Sequence, residues 1–121
     1  MRRPIRLMLL LALGLLVALV AAPVGSAATG CQKGKERKLG ATYVTKLTTK
    51  GATCATARTV VRAFHSCRKK NGVAGFCKSK VKGYTCTERR PAGEKIPTQY
   101  TGYVTCKSAS KRVIQEYQQN T

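Results

Sequence analysis

Apolar residues recur at helical spacing in one segment of the chain, residues 54–70. Positions three or four apart share one face of an α-helix, so this spacing predicts a helix whose apolar stripe faces a core. The apolar positions are Ala57, Val60, Val61, Phe64 and Cys67. Thr53 can cap the start through its hydroxyl, and Asn71 and Gly72 tolerate the left-handed conformation that ends many helices.

Four other segments have the β-branched, aromatic or alternating character of strands. They span residues 41–47, 81–87, 100–107 and 111–117. The positions that alternate onto one face of the third segment are Tyr100, Gly102, Val104 and Cys106. Residues 89–98 contain two prolines and one glycine and are expected to form a loop. Only a short turn separates the last two segments, which predicts a hairpin.

These elements predict an α+β fold in which one amphipathic helix packs on a three- to four-stranded antiparallel sheet, stapled by disulfides. The helix and strands fall within residues 41–117, which we interpret as a single small domain. Residues 28–40 are rich in Gly, Lys and small side chains and are expected to form a flexible N-terminal arm. The polar residues 118–121 are expected to fray.

Residues 1–27 have the three parts of a secretory signal peptide. Three arginines precede residues 7–22, which carry no polar side chain, and small helix-breaking residues follow. Small side chains before the cut allow cleavage after either Ala27 or Ala28. Removal of this leader would release the domain as a secreted, extracytoplasmic protein.

Two alternatives for the leader remain open. An uncleaved membrane anchor needs roughly 20 apolar residues, whereas this core has sixteen before Pro23. A lipid anchor at Cys31 is loosely indicated by the small residues before it, although it would leave an odd number of cysteines. In each case the arginines stay inside and the domain lies outside.

Six widely spaced cysteines follow the leader. They are Cys31, Cys54, Cys67, Cys77, Cys86 and Cys106. In an exported domain an even number predicts three disulfides, and the spacing alone leaves their pairing open. Zinc ligands come in pairs only a few residues apart, whereas eight residues separate the nearest two cysteines, Cys77 and Cys86. We therefore expect no metal and no other cofactor.

The charge of the chain is strongly positive. Its 121 residues include 23 Lys and Arg against four Glu, a formal net charge of +19. Without the three leader arginines the net charge is +16. Such a surface attracts anions over a Debye length of about 8–10 Å. The favoured partners are anionic cell-envelope polymers or lipid head groups; nucleic acid suits the charge but is not favoured, because no nucleic-acid motif accompanies it.

One face of the predicted helix is basic. Arg58, Arg62 and Lys69 share it, because they lie at i, i+4 and i+11, and like charges at this spacing repel one another. With Lys70 they are the predicted anion-binding residues. Lysines of the following loop can extend this face, namely Lys78, Lys80 and Lys82. The leading hypothesis is a secreted, cationic, non-enzymatic protein that binds anionic cell-envelope material.

The chain gives little sign of catalysis, and we predict that it is not an enzyme. His65 is interpreted as a partly exposed helix residue, and its neighbour Ser66 faces another direction. Glu88 and Glu94 are interpreted as solvated loop charges rather than a glycosidase pair. Four tyrosines are interpreted as core residues rather than platforms for stacking bases; they are Tyr43, Tyr84, Tyr100 and Tyr103.

The alternative hypothesis is a secreted interaction protein, such as a protease inhibitor or an antibacterial effector. Small disulfide-stapled domains can present a rigid loop to a protein target. The candidate loop here is Arg89-Arg90-Pro91. A complex that is insensitive to salt and is lost on changing this loop would favour that hypothesis.

The heptapeptide ATCATAR at residues 52–58, which contains Cys-Ala-Thr-Ala-Arg, resembles a helix motif of small secreted proteins of actinobacterial type. GYTC at residues 83–86 and VTCK at residues 104–107 are similar to further motifs of those chains. The resemblance implies a secreted α+β domain of uncharacterised function and transfers no catalytic residue. Relative to that pattern Cys67 and Cys77 are an extra pair, which implies that they bond each other.

Overall fold

The computed structural model describes residues 27–31 and 39–121. The predicted signal peptide, residues 1–27, lies outside this part of the chain apart from Ala27, as do residues 32–38 of the predicted arm. Within the described residues the α+β prediction is confirmed: one helix packs on an antiparallel sheet, with three disulfides. The sheet has five strands rather than the three or four predicted.

Helix α1 spans Cys54–Lys69, close to the predicted range. The Thr53 hydroxyl accepts the backbone N–H of Thr56 at 3.1 Å, which is the predicted N-cap. At the other end the N–H groups of Asn71 and Gly72 donate to carbonyls of the last turn. The buried face of the helix consists of Ala57, Val60, Val61, Phe64, His65 and Arg68.

The sheet has the strand order β1-β2-β5-β4-β3, and every neighbouring pair is antiparallel. The strands are β1 Thr29–Gly30, β2 Tyr43–Lys50, β3 Thr85–Arg89, β4 Gln99–Ser108 and β5 Lys111–Asn120. A short 3-10 helix, Ala92–Glu94, lies in the predicted loop between β3 and β4. The predicted hairpin is formed by β4 and β5, and α1 covers one face of the sheet.

The two ends of the domain are more ordered than the sequence predicts. Strand β1 pairs with β2 at Thr48 and Thr49, next to the disulfide-bonded Cys31. Strand β5 continues to Asn120, so the predicted frayed tail is paired over most of its length. The reason is that β5 lies between β2 and β4, and both neighbours bond its end. Gln119 is buried there.

The core lies between α1 and the inner face of the sheet, and β4 turns its predicted apolar positions toward it. Gly102 of β4 faces Tyr117 of β5, and the tyrosine ring lies directly over it. A Cβ atom at position 102 would come within 2.6 Å of the ring carbon Cζ. The missing side chain is therefore what lets the fully buried Tyr117 ring pack directly over β4.

We expect Gly102→Ala to lower the free energy of unfolding by about 1–3 kcal/mol, because the added methyl group overpacks the core against Tyr117. Urea denaturation measures this change. Gly93→Ala is the matched control, since a Cβ atom there would meet nothing within 4 Å. Equal midpoints for the two variants would show that the Tyr117 ring does not pack on position 102 as described.

Three disulfides join Cys31 to Cys54, Cys67 to Cys77 and Cys86 to Cys106. The first fastens the N-terminal segment to the start of α1, the second ties the last turns of α1 to the next loop, and the third crosses from β3 to β4. The pairing that the resemblance implied for Cys67 and Cys77 is present. Such bonds indicate an oxidising environment. Among the described residues, no helix is long and apolar enough to cross a bilayer.

Candidate functional site

An open groove of about 650 Å³ runs between α1 and residues 78–82, and we call it the basic groove. One wall is helical, and its members lie three or four positions apart beside the buried stripe. They are Thr59, Arg62, Ala63, Ser66, Cys67 and Lys70. The opposite wall is a loop whose members are Lys78, Ser79, Lys80, Val81 and Lys82, and Asn71 closes one end.

The loop wall is fixed at both ends. Cys77 is bonded to the helix, and the buried Val81 forms two backbone hydrogen bonds with Tyr84, of 2.9 and 2.8 Å. Between Val81 and Tyr84 the chain makes a two-residue turn in which Lys82 and Gly83 both have positive φ, +50° and +79°. Positive φ is unusual for lysine and common for Asn, Asp or Gly at such positions. The turn holds Lys82 at an exposed tip.

Five basic side chains face the basic groove, and no acidic residue is among the described residues that line it. They are Arg62, Lys70, Lys78, Lys80 and Lys82. All five are exposed, so each can reach a ligand without breaking into the core. Because like charges gathered in one concave surface repel one another, an anion that enters the groove relieves that repulsion and is attracted.

The structure divides the four predicted anion-binding residues. Arg62 and Lys70 line the basic groove, together with the three loop lysines that the sequence indicated as an extension. Arg58 is half-buried, and its Nη2 donates to the carbonyl of Cys31 at 2.5 Å, so it helps to hold the N-terminal segment. Lys69 is exposed but does not line the groove.

A second open groove, of about 620 Å³, lies on the sheet. Charges of both signs line it, including Lys46, Arg89 and Glu116, with the ring of Tyr103 and the side chain of Ile114. The mixed charge gives this groove no preference for anions comparable to that of the basic groove.

His65 is fully buried, so its interpretation as a partly exposed residue is wrong. Its Nδ1 accepts a hydrogen bond from Nε of Arg68 at 2.7 Å, and its Nε2 therefore carries the proton and donates to Gln115 Oε1 at 2.9 Å. Burial, and next the charge of Arg68, lower the pKa of His65 from 6.5 to about 3. At neutral pH the imidazole is uncharged and joins α1 to β5.

Arg68 is the second buried polar residue of α1. Besides His65, its guanidinium donates to the carbonyl of Val73 at 2.7 Å, to the Tyr100 hydroxyl at 3.1 Å and to Gln119 Oε1 at 2.6 Å. One side chain thus ties the helix to two strands and to the loop after it. Sequence reasoning missed this role, although positions 65 and 68 continue the spacing of the apolar stripe.

Glu88 was interpreted as a solvated loop charge, and this is wrong. It lies in β3, its side chain is 5% exposed, and Arg90 Nε approaches its Oε1 at 2.6 Å. The Tyr117 hydroxyl donates to the same oxygen, and burial raises the pKa of that tyrosine. Glu94 is exposed and accepts the Tyr103 hydroxyl at 2.8 Å, so the two carboxylates have different partners.

The four tyrosines of the sequence analysis fall into two groups. Tyr84 and Tyr100 are buried in the core, whereas Tyr43 and Tyr103 are partly exposed. All six cysteines are in disulfides. Within residues 27–31 and 39–121, no group of three His, Cys, Asp or Glu side chains is placed to hold a metal ion.

Comparison with known proteins found no matching protein-family model, no matching curated protein and no matching solved structure. The resemblance to small secreted proteins of actinobacterial type therefore stays a prediction.

Proposed function

We propose that the protein is exported, loses residues 1–27, and acts without catalysis as a cationic binding protein for anionic cell-envelope material. The observation that carries this proposal is the basic groove, in which five basic residues and no described acidic residue line one concave surface. The anions it would take are phosphate or carboxylate groups repeated along a polymer or a membrane surface.

The fixed backbone of both walls of the basic groove is what a preorganised binding site requires. The helical wall is part of α1 apart from Lys70, which caps its end, and the loop wall is fixed by the disulfide at Cys77 and by the turn at Lys82 and Gly83. Because the backbone is already in place, a ligand pays little conformational entropy beyond the ordering of lysine side chains. An open groove also admits a continuous polymer, which an enclosed cavity would exclude.

Export is supported by the three disulfides, which require an oxidising environment to form and persist. The short apolar core of residues 7–22 and the small residues that follow it support cleavage rather than retention as an anchor. Outside the cell the molecule would meet anionic envelope polymers and lipids before nucleic acid.

The Arg89-Arg90-Pro91 loop offers less support for the alternative of a protein-binding effector. The guanidinium of Arg90 is directed inward, where it bonds Glu88 and the carbonyls of Ala74 and Gly75. Arg89 stacks over the ring of Tyr103, with its Cζ atom 4.5 Å from the ring centroid. Arg90 is therefore held inside the protein, and Arg89 is exposed but rests on Tyr103.

We expect the variant Lys78→Gln/Lys80→Gln/Lys82→Gln to bind inorganic polyphosphate at least about tenfold more weakly at low salt. Each lost phosphate contact should lower the slope of log affinity against log salt by roughly 0.7–0.9, so the slope should fall by about 2. Isothermal titration calorimetry at several salt concentrations measures both quantities.

The matched control is Lys50→Gln/Lys107→Gln/Lys111→Gln, which removes the same charge from exposed positions outside the groove lining. We expect this control to keep most of the affinity and of the salt slope. Equal losses in the two triple variants would mean that net charge, and not the basic groove, binds the anion.

A further inference from the structure

Residues 72–76 form a short apolar tip directly after α1. The N–H of Gly75 donates to the carbonyl of Gly72 at 2.9 Å, which closes a turn with Val73 and Ala74 at its centre. Val73 is 52% exposed and Phe76 is 48% exposed. Single exposed apolar residues are ordinary on protein surfaces, but here two lie within four positions, and the Phe76 ring stays about half exposed although the Arg90 guanidinium stacks on it at 3.9 Å from the centroid.

The apolar tip is held rigidly from behind. The carbonyl of Val73 accepts from Arg68 and from the Tyr100 hydroxyl, and the carbonyls of Ala74 and Gly75 accept from Arg90. The carbonyl of Phe76 accepts from the side chain of Asn71 at 2.9 Å. Four consecutive carbonyls thus have partners inside the protein, and the disulfide at Cys77 closes the loop.

The internal hydrogen bonds of these four carbonyls would ease the entry of the apolar tip into a lipid bilayer. Each backbone carbonyl that already has a partner inside the protein avoids the cost of losing its water when a loop enters a poorly hydrated region. The carbonyls of residues 73–76 meet this condition. An ordinary surface loop, whose carbonyls bond to water, does not.

Exposed lysines flank the apolar tip on both sides of the chain. Lys69 and Lys70 precede it, and Lys78 and Lys80 follow it, with Lys70, Lys78 and Lys80 also lining the basic groove. An apolar element bordered by cations is the arrangement of proteins that lie at a membrane surface. The apolar side chains reach the acyl boundary, while each lysine gains about 1 kcal/mol from anionic head groups.

We propose that residues 72–76 insert into the surface of an anionic phospholipid bilayer while the lysines of the basic groove contact its phosphates. This inference rests on the proposed function, and it names the membrane, rather than a soluble polymer, as the anionic partner.

The test compares vesicles of about one third phosphatidylglycerol in phosphatidylcholine with inorganic polyphosphate as a soluble anion. We expect Val73→Ser/Phe76→Ser to lower vesicle partitioning about tenfold, because half-exposed Val and Phe side chains lose their apolar burial. Its polyphosphate affinity should be unchanged, which also shows that the fold is intact. Ile96→Ser, at a 58% exposed site on another loop, is the matched control and should bind vesicles normally.

A gain-of-function variant keeps the proposal falsifiable if the serine variant folds poorly. Val73→Trp should raise vesicle partitioning several-fold, because tryptophan favours the membrane interface. The chain has no tryptophan of its own, so a blue shift of the emission on vesicles reports insertion at position 73.

Two results would overturn the inference. One is unchanged vesicle binding of both the serine and the tryptophan variants, and the other is wild-type protein that binds polyphosphate but no vesicles. Either leaves the proposed function standing, provided that Lys78→Gln/Lys80→Gln/Lys82→Gln still weakens polyphosphate binding. If that triple variant binds polyphosphate like the wild type, the proposed function itself is wrong.

Discussion

Reduction of the three disulfides is expected to unfold the protein at physiological temperature. The bonds join residues 23, 10 and 20 positions apart. Loop-closure entropy at these separations corresponds to about 3 kcal/mol for each bond and about 9 kcal/mol together. A small domain has only about 5–15 kcal/mol of stability in total, and here the net positive charge opposes folding further. The expected loss is therefore comparable to the whole free energy of unfolding.

Thermal unfolding followed by circular dichroism measures this effect on oxidised protein and on reduced, alkylated protein. We expect the midpoint to fall by at least about 35 °C, or the cooperative transition to vanish. Cys67→Ala/Cys77→Ala is the internal comparison: it removes the shortest loop, should lose about 3 kcal/mol, and should still fold. Reduced protein that melts within a few degrees of the oxidised form would contradict this expectation.

Acid is expected to destabilise the protein before its carboxylates titrate, through His65. In the unfolded chain this imidazole has its ordinary pKa of about 6.5, whereas burial and Arg68 lower the folded-state pKa to about 3. The unfolded state therefore takes up a proton first. The stabilisation is fully present above about pH 6.5 and is lost as the pH falls toward 3, with about 2–3 kcal/mol gone by about pH 4.5.

The geometry gives the same direction as the pKa. Protonation of Nδ1 would set an N–H against the donating Nε of Arg68, only 2.7 Å away. Lys69 and Arg90 add further positive charge near the ring, and Gln115 supplies the one hydrogen bond that favours the cation. Together these contacts keep His65 uncharged as long as α1 stays packed on β5.

Urea unfolding at about pH 7.5 and about pH 4.5 measures this effect, since the chain has a single histidine. His65→Gln is the matched variant, because an amide can accept from Arg68 and donate to Gln115 without titrating. We expect the difference in unfolding free energy between the two pH values to shrink to less than about 1 kcal/mol in the variant. An equal pH dependence in both proteins would assign the acid sensitivity to other groups.

Local signals in the sequence were enough to predict the helix and the last hairpin. Thr53 caps α1, the apolar spacing sets its buried face, and the alternation over residues 100–107 turns the correct side of β4 inward. These features depend on residues only a few positions apart, so the local sequence is enough to predict them.

Features that depend on distant partners were not predictable in the same way. Strand β1 has two residues and exists because it pairs with β2, and residues 118–120 are ordered because two strands flank them. His65 and Glu88 carry polar side chains that a pattern assigns to solvent. Their burial depends on partners from β5, namely Gln115 for His65 and Tyr117 for Glu88, in addition to Arg68 and Arg90 nearby in the sequence.

The basic groove depends both on local helical spacing and on partners that are distant in the sequence. Helical spacing grouped Arg62 with Arg58 and Lys69, whereas only Arg62 of these three lines the basic groove and Arg58 turns toward Cys31. Which cations share one groove is decided by the path of residues 78–82, which the disulfide at Cys77 and the turn at Lys82 set. The spacing of residues along the sequence shows neither which cysteine bonds Cys77 nor the turn that Lys82 adopts.

The most direct test of anion binding by the basic groove is to map the contact by amide chemical shifts. Inorganic polyphosphate is titrated into the isotope-labelled oxidised protein at low salt and then displaced with salt. We expect the shifts to concentrate at Arg62, Lys70 and residues 78–82, and to disappear as salt is added. Shifts spread evenly over the surface, or centred on the outer sheet around Lys46 and Arg89, would contradict the proposed function.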